Sequence, residues 1–195
     1  MSVEFTLRFR KALVFAARLH GGQTRKGTDI AYIAHLMAVA SLVITHGGNE
    51  DEAIAALLHD AVEDQGGRPT LQTIRKRFGN EVASIVEGCT DTDIMPKPPW
   101  RERKARYLKH LASATRSVRL VAAADKLDNI RAIIADYRTH GPALWSRFNA
   151  GVDEQRWFYR SCVTALQRDP MAIVRDLDLA VREFEELTSP LPPDR

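Results

Sequence analysis

Apolar residues recur at Phe5, Phe9, Ala12, Leu13, Ala16 and Leu19, a spacing of three and four that gathers one stripe on an α-helix. The same period predicts helices over 31–48, 50–64, 70–79, 80–91, 100–113, 118–137, 145–167 and 171–187. Glycines punctuate them at Gly21-Gly22, Gly47-Gly48 and Gly79. The stretch TDIMPKPP, residues 92–99, is a loop that no helix crosses, and Pro98 and Pro99 stand just before the helix that opens at Trp100. VRLVAAADKLDNIRAIIADY is apolar on two faces, which predicts a central, buried helix. No alternating strand pattern, internal repeat or low-complexity segment appears. The expected fold class is all-α, a single-domain bundle of about eight to ten helices. Residues 1–190 form the folded unit and 191–195 a flexible tail.

Composition narrows this picture. A chain of 195 residues suits one domain, and 45% hydrophobic residues are enough for a real core. The net charge of +3 is a mild basic excess, suited to a phosphate-rich ligand. With no helix-turn-helix and no aromatic-basic platform, a nucleic-acid partner is not expected. Cys89 and Cys162 have no metal-like spacing, so a reducing compartment and free thiols are expected. No apolar run is long enough for a membrane span, and MSVEFTLRFR lacks the apolar core of a signal peptide. The expected location is cytoplasmic, with no membrane partner.

Candidate chemistry concentrates in AALLHDAVED, residues 55–64. On a helix His59 lies over Glu63 and Asp60 over Asp64, one polar stripe opposite Ile54, Leu57, Leu58 and Ala61. Ala53 and Ala56 continue the stripe with small side chains, which suggests close packing and a cleft. Carboxylates at a helix C-terminus oppose its dipole, a cost that a metal ion would remove. A plain surface cluster is the alternative. His35 shares its face with Val39 and Leu42, and Asp125 shares its own with Val118, Val121 and Ala122. A carboxylate in such surroundings is costly unless paired or metal-bound. Taken singly, each has an ordinary structural explanation. Together, His35, His59, Asp60 and Asp125 make a ligand set for a divalent ion, of a kind suited to Mn²⁺, Fe²⁺ or Zn²⁺ rather than Ca²⁺ or Mg²⁺.

The order of His, then a His-Asp pair, then a distant Asp resembles the HD phosphohydrolase superfamily. RKGTDIAYIAH, ALLHDAVED, RFGNEVASIVEGCTD and AADKLDNIRAI extend the likeness, from about residue 5 to about residue 168, to the RelA/SpoT-type hydrolase domain and its stand-alone small alarmone hydrolases. That resemblance implies an HD-domain helical bundle and a manganese-dependent 3′-pyrophosphohydrolase that takes (p)ppGpp to GDP or GTP and pyrophosphate. It implies His35, His59, Asp60 and Asp125 as ligands of one Mn²⁺, and Glu63 and Asp64 as the catalytic acidic pair. Arg25, Lys26, Asn129 and Tyr159 are implied on the nucleotide side. The implied partner is the nucleotide, with a homodimer left open, and no attached synthetase domain or regulatory tail is expected.

Two departures stand out. Ala31 replaces the usual Pro before Tyr-Ile-x-His, and Asp128 stands where His is common, adding negative charge if it faces the pocket. Competing functions are a (p)ppApp-preferring alarmone hydrolase, another HD-superfamily nucleotide phosphohydrolase such as a 5′-nucleotidase, and a non-catalytic alarmone sensor. The basic run WRERKARYLK is expected to be a solvated helix face, and His20, His46 and His110 to be caps or surface groups.

Overall fold

A computed structural model describes residues 4–92, 96–168 and 170–189. Its α-helices are α1 (Leu7–Leu19), α2 (Ile33–Thr45), α3 (Glu50–Leu58), α4 (Ala61–Asp64), α5 (Gly67–Phe78), α6 (Asn80–Cys89), α7 (Trp100–Ser113), α8 (Arg116–His140), α9 (Val152–Leu166) and α10 (Ala172–Thr188). A 3-10 helix, Gly141–Arg147, joins α8 to α9. Among the described residues there is no strand, only an isolated bridge between Thr24 and Ala31. The all-α, single-domain expectation holds. The tail at 191–195 lies outside the described residues. None of the helices described is long and apolar enough to cross a membrane.

Local signals start the helices. Thr6 caps α1 by accepting the Arg8 amide, and Asn49 caps α3 in a reciprocal capping box with Glu52. Helix α8 runs through the middle and packs against α2, α3, α6, α9 and α10. Its residues from Val118 to Asp125 are all buried, which accords with its two apolar faces.

Two helical boundaries differ most from the sequence pattern, while α5 opens three residues early at Gly67 and α8 extends to Arg116 and His140. The segment 50–64 breaks at His59-Asp60 into α3 and the short α4. There the Ala56 carbonyl accepts the His59 Nδ1–H at 2.8 Å, a side-chain intrusion on the backbone ladder that ends the helix. The segment 145–167 does not begin its α-helix at Trp145. Pro142 opens a 3-10 helix instead, and α9 starts only at Val152, after Gly151.

The approach of α6 to α8 depends on a missing side chain. A Cβ on Gly88 would lie 2.6 Å from Val118 Cγ2. Gly88→Ala is therefore expected to destabilise the fold by about 1–3 kcal/mol, as overpacked cores do. Chemical denaturation would read this as a lower midpoint at constant slope. An unchanged midpoint would mean that α6 shifts freely.

Candidate metal centre and its cavity

Three helices that are mostly apolar each bring a polar side chain to one buried point. His35 in the first turn of α2, His59 at the end of α3 and Asp125 in the middle of α8 are buried, and their ligand atoms all lie within 4.8 Å of one another. His35 Nε2 is 3.4 Å from Asp125 Oδ1 and 3.7 Å from Asp60 Oδ2. His59 Nε2 is 3.0 Å from Asp60 Oδ2 and 3.5 Å from Asp125 Oδ1.

The outer ring nitrogens determine which inner ones are free. Asp128 and the Ala56 carbonyl are acceptors, so His35 and His59 each donate from Nδ1, at 2.6 and 2.8 Å. Each Nε2 is then left buried without a hydrogen-bond partner, facing carboxylate oxygens. Buried polar atoms are ordinarily satisfied, so two orphaned imidazole nitrogens beside two carboxylates are what a divalent cation would complete. The donor set of N and O atoms fits such an ion.

Charge within the cluster is tightly coupled. Burial alone would push the His35 imidazole down, but the surrounding carboxylates of Asp125, Asp128 and Asp60 outweigh it and raise the group to about 9. His59 moves up in the same way, against burial, chiefly through the Asp60 charge. Burial pushes the Asp60 and Asp125 carboxyls up, but the His59 imidazole beside the first and the Lys126 ammonium beside the second bring both well below the usual range.

The acidic pair on α4 lies on a separate set of contacts. Glu63 accepts Lys97 Nζ at 2.8 Å and sits 3.9 Å from Arg103 Nη1. Asp64 accepts the Gln23 amide at 2.8 Å. The Asp64 carboxyl is raised by burial and by the neighbouring Asp60 and Glu63 charges, despite that bond. Because the chain kinks at His59-Asp60, the expected continuous i to i+4 stripe is interrupted, although the Asp64 amide still bonds to the Asp60 carbonyl at 3.0 Å.

A cavity of about 550 Å³ opens beside His35, within the size range of ligand pockets. Arg25, Lys26, Asn129 and Tyr159 all line it. Arg25 forks onto α8, with Nη1 on Asp128 at 2.7 Å and Nη2 on Asn129 Oδ1 at 3.0 Å. Lys26 reaches Asn149 at 3.3 Å and lies over the Phe148 ring. Tyr159 is buried against Phe158 and Phe184.

Sequence reasoning missed several neighbours. Tyr32 donates to Asp60 Oδ2 at 2.5 Å; its place one turn before His35 was the available signal. Lys126 pairs with Asp125 and lies over the rings of Tyr107 and Phe158. The solvated-face reading of α7 holds for Arg101, Arg106 and Lys109, which are exposed, and is corrected at Arg103 and Lys104. Arg103 is buried against Asp91, while Lys104 bonds Asp91 at 2.8 Å, covers Phe158 and lines the cavity. His20 is the C-cap of α1 and His46 that of α2, as expected of caps, and His20 is also buried, bonded to Gln23 at 2.8 Å and stacked on Tyr32.

Comparison with known proteins agrees with this geometry. The HD domain family model matches residues 12–151. Guanosine-3′,5′-bis(diphosphate) 3′-pyrophosphohydrolase MESH1 of Xenopus tropicalis is 39% identical over 139 residues, 70% of this chain and 73% of that protein. The Homo sapiens protein of the same name is 37% identical over the same shares. A solved structure of a metazoan ortholog of SpoT, described as hydrolysing ppGpp, superposes with a TM-score of 0.75 at 27% identity, covering 94% of this chain and 97% of the other.

Proposed function

Because the chain belongs to the HD domain family, we propose that it is a metal-dependent 3′-pyrophosphohydrolase acting on (p)ppGpp, with GDP or GTP and pyrophosphate as products. The observation that carries this reading is the pair of orphaned, buried Nε2 atoms of His35 and His59 facing Asp60 and Asp125, next to a cavity lined by Arg25, Lys26, Lys104 and Lys126. A nucleotide that carries two separate polyphosphate groups is a highly charged anion; its binding calls for a metal and cations together, and the cationic cavity lies beside the candidate ligands. The proposal includes Mn²⁺ as the ion and a reducing, cytoplasmic setting in keeping with the free thiols of Cys89 and Cys162. Nucleic acid and membrane have no part in it, and a homodimer remains compatible with it.

When bound, the ion supplies Lewis acidity toward a phosphoryl oxygen and toward water. The chain's own residues do the rest. His35 and His59 are held by their Nδ1–H bonds with Nε2 turned inward. Glu63 takes the proton from the attacking water, and Asp64 assists, with its carboxyl raised toward proton exchange. The bond between the ribose 3′ oxygen and phosphorus breaks, the water oxygen leaves on pyrophosphate, and the proton ends on the 3′ oxygen. Arg25 orients the phosphates and Lys26 adds positive charge against them, and Asn129 and Tyr159 bound the nucleotide.

The test uses metal-stripped protein, Mn²⁺, and ppGpp and ppApp offered in parallel, with pyrophosphate and nucleoside diphosphate followed by chromatography. Mn²⁺-dependent release of pyrophosphate from ppGpp is expected. Faster release from ppApp would move the base preference, and release from neither would overturn the alarmone reading. Arg25→Ala should raise the KM for ppGpp by about 10- to 100-fold, the worth of hydrogen bonds to a charged group, with kcat changed less than about threefold. Steady-state kinetics at saturating Mn²⁺ checks this; a fall in kcat alone would assign Arg25 to the chemical step instead.

A further inference from the structure

Asp128 occupies a junction that neither the resemblance nor the family membership assigns. Its Oδ2 accepts His35 Nδ1 at 2.6 Å and Arg25 Nη1 at 2.7 Å. From Arg25 the path continues through Nη2 to Asn129 Oδ1 at 3.0 Å, and from Asn129 Nδ2 to Asp125 Oδ1 at 2.5 Å. That oxygen stands 3.4 Å from His35 Nε2, so the circuit closes on the imidazole where it began. Three of its five members, Asp125, Asp128 and Asn129, come from adjoining positions of α8, where spacings of three and four share a face. His35 comes from α2 and Arg25 from the preceding loop.

The circuit has two physical consequences. A carboxylate on Nδ1 fixes the imidazole tautomer and ring plane and strengthens the donor at Nε2. The same oxygen holds one arm of the Arg25 fork, so the guanidinium is pre-oriented against α8 at the cavity wall. The Arg25 charge also offsets that of Asp128, so an acid at this position need not repel an anionic ligand. The extra negative charge anticipated at the pocket is therefore compensated within it.

We propose that Asp128 is a positioning residue that joins the two halves of the site, aiming His35 at the metal and Arg25 at the substrate phosphates through one shared carboxylate oxygen. This inference rests on the reading of His35, His59, Asp60 and Asp125 as a metal site. Its test is Mn²⁺ titration of metal-stripped protein by calorimetry, in a mildly alkaline buffer where protons compete least, followed by the KM for ppGpp at saturating Mn²⁺. Asp128→Ala is expected to weaken Mn²⁺ binding by about 10- to 100-fold, the usual effect of losing such an outer partner, and to raise KM by at least about threefold. Asp128→Asn has the same shape and keeps an acceptor for His35, so smaller changes in both quantities are expected. Circular dichroism and thermal unfolding of both variants establish that the fold is retained. Mn²⁺ affinity of Asp128→Ala within about threefold of the parent would overturn the proposal. Weaker Mn²⁺ binding with an unchanged KM would overturn its Arg25 half. A parent protein that takes up no Mn²⁺ would overturn the metal reading itself, and this proposal with it.

Discussion

Glu63→Gln is expected to lower kcat for pyrophosphate release by about 10²- to 10⁴-fold, the range of a positioned general acid or base. Glutamine keeps the shape and the acceptor for Lys97, so the contact at 2.8 Å loses its charge but not its place. Glu63 is not among the three buried groups whose ligand atoms converge, and its partners are Lys97 and Arg103 rather than either imidazole. Mn²⁺ affinity should therefore change by less than about threefold while kcat falls. Rapid-quench kinetics at saturating substrate, paired with a Mn²⁺ titration, separates the two. Parallel loss of Mn²⁺ binding and activity would make Glu63 a support of the metal site and not a proton carrier. Retention of full kcat would transfer the role to Asp64.

Metal affinity should depend steeply on pH, and the cluster itself gives the sign. His35 holds a proton up to about pH 9, and a ligand nitrogen must give it up. Below that pH each unit of acidification is expected to weaken Mn²⁺ binding by about tenfold per proton displaced. His59 is raised too, so the slope between pH 6 and 8 is expected to exceed that of a single proton, a loss of at least about 10²-fold across the interval. Stability should move in opposite directions with and without metal. In the metal-free protein, the His35 group is raised above its ordinary 6.5, so its contribution is fully present below that value and is lost as pH rises through about 9. Metal-free protein should melt at lower temperature as pH climbs across this window, while a fixed excess of Mn²⁺ should stabilise increasingly. The depressed carboxyls of Asp60 and Asp125 act only at far lower pH and do not reverse the trend. Calorimetric titrations and melting curves at matched pH values test this. A Mn²⁺ affinity that stays level from pH 6 to 9 would mean that the imidazoles carry no protons to displace.

Much of this protein is legible in its residue pattern, for a stated reason. Helical periodicity is a local property: the burial of Val39 beside His35, with Leu42 half-buried one turn on, and of Val118, Val121 and Ala122 around Asp125, follows from spacing alone. A His or Asp at an apolar position of such a helix is likewise visible before any fold is known, because its burial without a partner would be costly. The sequence by itself thus determined the all-α class, the central position of α8 and the short set of polar residues that require an explanation.

The tertiary structure alone decided which atoms meet. The break at His59-Asp60 arises because a ring N–H takes the Ala56 carbonyl, a choice that periodicity does not encode. The burial of Arg103 and His20 depends on Asp91 and Gln23, partners reached only once α7 and the loop after α1 are folded against their neighbours. Asp128 shows the difference most sharply. In sequence it is one more acid beside a pocket, at a position where His is common. In three dimensions it lies 93 residues from His35 and 103 from Arg25 along the chain, yet one of its oxygens serves both. Hydrogen bonds are short and directional, so their pairing is fixed only by the packing of α2, α8 and the connecting loop, whereas burial needs only a repeating pattern of apolar side chains.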